Sequence, residues 1–81
     1  MQEKQRFTDV LEQSEMVLDD LIKVATSHKP SVPPYIIKNM MAGKPVKRMY
    51  AEATLTILSQ YTGRTLNLDT VEVALEQEGR P

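Results

Sequence analysis

SVPPYIIKNMMAGK, residues 31–44, is the stretch on which the reading of this chain turns. Pro34 suits the first turn of a helix, where its missing N–H would have no partner in any case, and YIIKNMMA carries that helix to a stop at Gly43. Ser31 cannot cap it in the usual way, because the amides it would have to accept from belong to Pro33 and Pro34, which have no N–H. Pro33 is therefore the expected cap residue. Ile37 and Met40, flanked by Ile36 or Met41, make an inner face, which leaves Pro34, Tyr35, Lys38 and Asn39 as the outer set.

Upstream, TSHKPSVPP has three prolines, two serines and no periodicity, so it reads as a connector and as the long break in the chain. Before it, Phe7, Val10 and Leu11 fall at i, i+3 and i+4 within a first helix expected over Glu3 to Ser14, with Glu3 in its first turn. A second helix is expected from about Val17 to Ala25, with Leu18, Leu21, Ile22 and Ala25 inward and Asp19 and Asp20 favouring its N-terminus. Downstream, a fourth helix should span roughly Lys47 to Tyr61, burying Tyr50, Ala51, Leu55, Leu58 and Ile57, and ending at Thr62 and Gly63.

The remaining tail, TLNLDTVEVALEQEGRP, admits two readings. Asp69 as a cap, with Val71, Ala74 and Leu75 inward, gives a short fifth helix; the alternating Val71-Glu72-Val73 gives an extended strand, open to pairing with a second copy. The helix is the preferred of the two. Tyr50 and Tyr61 are expected in the core with their hydroxyls at its rim, and Met16, Met40, Met41 and Met49 as core filler.

Charge is distributed unevenly around the central stretch. Between Asp20 and Glu52 there is no acidic residue, while Lys23, Lys29, Lys38, Lys44, Lys47 and Arg48 supply six positive charges; the flanks hold all 11 acids against four basic residues. A single-sign stretch crossed by apolar residues at helical spacing is what a phosphate-binding face looks like in sequence, although a solvated helix face gives the same count. Lys29, Lys44, Lys47 and Arg48 are the candidate phosphate contacts.

At 81 residues the chain is expected to form one domain, a helical core over 1–64 followed by an acidic tail over 65–81. Four aromatic residues among many Leu, Val, Ile, Met and Ala point to an all-α bundle of four or five helices. With no cysteine and one histidine, neither a disulfide framework nor a metal centre is expected, and no cofactor is implied. No apolar run approaches the roughly 20 residues of a membrane span, and MQEKQRF does not read as a signal peptide, so a cytoplasmic protein is expected. His28, beside Ser27 and Ser31 in the connector, is the expected solvent-exposed loop histidine rather than a catalytic base, and three scattered glycines make no phosphate-cradling loop. An enzyme is not expected.

Val32, Ile37, Met40, Gly43 and Lys44 stand where the lambda-repressor-like (Xre/Cro-type) helix-turn-helix family places a Val, a central Ile and a Gly-Lys in its recognition helix. QRFTDVLEQSEMVLDDLIKVA is similar to that family's first two helices and VKRMYAEATLTILSQYTG to its fourth, so the resemblance covers about three quarters of the chain. It implies a small transcriptional regulator of phage or mobile-element type that binds double-stranded DNA as a homodimer, with the helix at about 34–42 in the major groove. In that placement Asn39 pairs with adenine, Lys38 donates to guanine or phosphate, and Tyr35 and Pro34 lie at base edges, Tyr35 meeting a thymine methyl or a phosphate. Two departures are visible: the connector exceeds the usual three- or four-residue turn, and Pro33-Pro34 replace a polar cap and a base-reading side chain. The acidic tail from Leu66 onward is the candidate dimer or partner surface of such a regulator. The two departures motivate the alternative, a helical protein-binding module of antitoxin or adaptor kind that has lost DNA readout. Tyr35 then packs against the first helix and Asn39 is an ordinary surface residue.

Overall fold

The structure, a computed structural model, describes residues 4–29 and 31–76. Four helices, α1 (Phe7–Gln13), α2 (Leu18–Ser27), α3 (Pro34–Ala42) and α4 (Arg48–Thr62), pack with two short strands, β1 (Gln5–Arg6) and β2 (Val71–Glu72). The strands run parallel, with Gln5 opposite Val71 and Arg6 opposite Glu72, so the two ends of the described chain meet.

Each helix buries most of the residues its periodicity predicts, with Leu18 and Ile22 of α2 half-buried. Phe7, Val10 and Leu11 of α1, Leu21 and Ala25 of α2, Ile36, Ile37 and Met40 of α3, and Ala51, Leu55, Ile57 and Leu58 of α4 form one core, to which Val32, Val46, Leu66 and Val71 contribute from outside the helices. Thr54 is the buried polar residue among them, and its hydroxyl donates to the Tyr50 carbonyl (2.8 Å), so burial leaves no orphaned donor there. Gly43 (φ 78°) and Gly63 (φ 71°) end α3 and α4 in the left-handed region that an L side chain resists.

Several expectations need correction. The first helix begins at Phe7 rather than Glu3, which lies outside the described residues, because Gln5 and Arg6 pair with the tail and are extended. The second helix runs on to Ser27, and the turn before it places Glu15 at φ 61°. The preferred fifth helix is absent from the described part of the tail. Asn67 Oδ1 accepts the Asp69 and Thr70 amides (2.9 and 3.2 Å), closing a turn two residues before the expected cap, and the chain then extends. Val71 is buried and Val73 and Leu75 half-buried, alternating with exposed Glu72, Ala74 and Glu76; that is the period of a strand. This extension also supplies partners for backbone groups that a helix would leave unpaired: the Gln5 N–H donates to the Thr70 carbonyl (3.0 Å) and the Val46 N–H to the Ala74 carbonyl (3.0 Å). Its backbone partners, Gln5 and Val46, lie within the same chain.

Met49 and Tyr61, expected inside, are 52% and 61% exposed. Tyr61 lies on the stripe of Thr54 and Leu58, near the end of α4, and lines a surface depression with Ser14 and Met16 of the α1–α2 turn and Val24 of α2. Tyr50 is half-buried against the core, as expected for a ring with its hydroxyl at the rim.

Candidate functional site

α3 is held at both ends by a buried valine. Before it, the Val32 N–H donates to the Ala25 carbonyl (2.9 Å) and Ser31 Oγ to the Thr26 carbonyl (2.9 Å), folding the connector back on the end of α2. Ser31 thus serves the helix behind it, and Pro33 occupies the cap position of α3 without a side-chain bond. After α3, the Lys44 N–H returns to the Asn39 carbonyl (2.8 Å), and Val46 is fixed by the tail. Between these anchors Ile36, Ile37 and Met40 face the core.

The opposite side of α3 is open. Pro34 and Lys38 are exposed, and Tyr35 is 61% exposed, so its ring is largely in solvent. Asn39 is half-buried, which shortens the reach of its amide relative to the fully outer position expected for it. Lys29, exposed, precedes the helix, and exposed Lys44, Lys47 and Arg48 follow it. A nine-residue helix is about 13 Å long, on the order of the width of the DNA major groove. Lys23 belongs to α2 and stands apart from this set, beside Asp20, Met16 and Tyr61.

Electrostatic asymmetry runs through the helix termini as well. α1 carries Asp9 in its first turn and α2 carries Asp19 and Asp20, each countering the positive end of its helix. α3 and α4 have no acid in their first turns and no side-chain cap, and the cap residue of α4 is itself a cation, Lys47. The uncountered positive end of α4 therefore coincides with Lys44, Lys47 and Arg48 at the α3–α4 linker, where an anion would relieve both.

Two acids temper this face, and neither is evident from the acid-free count. Glu52 Oε2 lies 3.1 Å from Arg48 Nε, both side chains being largely exposed, so a phosphate at Arg48 must compete with it. The i, i+4 spacing of Arg48 and Glu52 was the signal. The second acid, Glu76, donates its N–H to the Val46 carbonyl and so falls in register with Lys47, through tail pairing that no local pattern encodes.

Away from this face, the His28 imidazole is half-buried rather than freely exposed as expected, and its backbone N–H donates to the Ala25 carbonyl (3.3 Å). A depression of about 460 Å³ lies between α3 and the strands, lined by Arg6, Phe7, Met40, Met41, Gly43 and Glu72 among others. Among the described residues no group of three His, Cys, Asp or Glu side chains is placed to hold a metal ion, and no helix is long and apolar enough to cross a membrane. No protein-family model, curated protein or solved structure matches the chain.

Proposed function

We propose that this chain is a small transcriptional regulator that binds double-stranded DNA, presenting the outer side of α3 to the major groove. The observation that carries the reading is the asymmetry of the helix termini: acids counter α1 and α2, whereas α3 and α4 begin without an acid and are flanked by Lys29, Lys44, Lys47 and Arg48. In this arrangement the four cations meet phosphates, and Tyr35 and Lys38 meet base edges, with Pro34 packing at the helix entry. Half-buried Asn39 contributes to readout only if the groove closes on it. The resemblance to lambda-repressor-like regulators points the same way and implies a homodimer on two half-sites.

Binding to random duplex as a function of salt tests the reading. Four neutralised phosphates predict log affinity falling against log salt with a slope of about −3.6, less if Glu52 keeps Arg48 engaged. Lys47→Ala should weaken all sequences alike, while Lys38→Ala and Asn39→Ala should relax preference at single positions. Absence of binding to any duplex at low salt would remove the proposal.

A protein-binding module is favoured by a different observation, the exposure of Tyr61 (61%) beside half-buried Met16 and Val24. That patch lies on α2 and the end of α4. If it is the working surface, Tyr61→Ser abolishes partner capture and leaves the response to DNA unchanged.

A further inference from the structure

The tail meets the proposed DNA-binding face at one place, the linker between α3 and α4. Val46 is fully buried there, and both of its backbone groups are bonded to the tail: its N–H donates to the Ala74 carbonyl (3.0 Å), and its carbonyl accepts the Glu76 N–H (2.9 Å). The bridge is parallel and sets Val46 opposite Leu75, so the next pair in register is Lys47 and Glu76. Lys47 is still extended (φ −67°, ψ 143°) before α4 begins. Side chains alternate across extended backbone; Val46 and Leu75 turn toward the core, and exposed Lys47 and Glu76 both stand on the outer side. Paired segments lie about 4.8 Å apart, which puts the ammonium and the carboxylate within reach of each other on flexible stems. Among the described residues the one ion pair is Arg48–Glu52, so in this conformation Lys47 is not engaged by Glu76.

We infer that Glu76 is a built-in competitor for the phosphate at Lys47, an acid carried by the tail to the basic linker to hold down its affinity for nucleic acid. The inference rests on the DNA-binding reading above. In the free protein the carboxylate lowers the positive potential at Lys47, and on binding it must give way to, and is repelled by, the incoming phosphate. Arg48 is ion-paired with Glu52 one turn along α4, and Lys47 has Glu76 opposite it in register without an ion pair, while the sequence of α3 offers Lys38 no acid. Lifting the tail from Val46 removes the competitor at Lys47 and not the one at Arg48.

The test is a double-mutant cycle on the full chain, with affinity for a random duplex measured for wild type, Glu76→Gln, Lys47→Ala and the double variant. Glu76→Gln should bind about threefold tighter at low salt, the size expected of one exposed charge pair, and the gain should fade as salt screens it. In the Lys47→Ala background the same substitution should give no gain. If Glu76→Gln matches wild type while Lys47→Ala binds more weakly, the competitor is overturned and the DNA reading stands. An equal gain in both backgrounds overturns the pairing, because Glu76 would then act as unspecific negative charge. No binding by any of the four overturns the DNA reading and the competitor with it. Position 76 is exposed, so thermal unfolding of Glu76→Gln should match wild type and separate charge from folding.

Discussion

The segments on either side of α3 do the same work by different means. Both place a fully buried valine, Val32 before the helix and Val46 after it, and both satisfy that valine's N–H with a backbone carbonyl. Val32 reaches back seven residues to Ala25, at the end of the preceding helix; Val46 is held by Ala74 and Glu76, far along the chain. A local anchor forms once α2 exists, whereas the distant one requires the tail to cross the molecule and align. The orientation of α3 therefore depends at one end on a turn and at the other on the tertiary fold.

Removing the distant anchor is the strongest way to break this symmetry. Ending the chain after Glu72 strips both bonds from Val46 and the half-buried Val73 and Leu75 from the core, and should cost about 3 kcal/mol by urea denaturation. Hydrogen exchange on the same variant should show the Val46 amide losing protection while the Val32 amide keeps it relative to the core; loss at both would show that the two ends are one cooperative unit. Val32→Ala and Val46→Ala should each lower stability by about 2 kcal/mol, since both side chains are fully buried. A much smaller cost at Val46 would mean that the tail covers the linker without packing it.

Gly43 sharpens the comparison from the helix end. Nothing lies within 4 Å of a Cβ built there, so Gly43→Ala should cost about 1 kcal/mol from backbone conformation alone. Gly63→Ala, equally open at φ 71°, provides the matched control, and a larger loss at Gly43 would show that the tail resists adjustment of the linker. The smallest effect belongs to Ser31→Ala, which removes one exposed hydroxyl bond to Thr26 and should cost about 0.5 kcal/mol in the same denaturation experiment.

Legibility follows the range of the interactions. The inner face of α3, its Pro33–Pro34 entry and its Gly43 exit were readable because they depend on residues a few positions apart. So was the outward placement of Pro34, Tyr35 and Lys38, which is the complement of that inner face. Asn39, expected fully outer, is half-buried. The tail is ambiguous for a related reason: Val71, Ala74 and Leu75 fit a helical stripe and Val71-Glu72-Val73 fits a strand, and the pairing with Gln5 and Val46 decides for the strand. Tyr61 lies on the same stripe of α4 as buried Thr54 and Leu58 and is exposed, so periodicity alone does not decide its burial.

By itself the sequence determined the four helices, most of their buried residues, and the acid-free stretch that concentrates cations around α3. These follow from helical periodicity, from proline and glycine chemistry and from the count of charges, all of which act over a turn or two. Tertiary structure alone decided that the tail is a strand, that it closes on β1 and Val46, and that Glu76 stands beside Lys47. Backbone hydrogen bonds between distant segments carry no side-chain pattern, so which segments meet is settled only when the whole core packs.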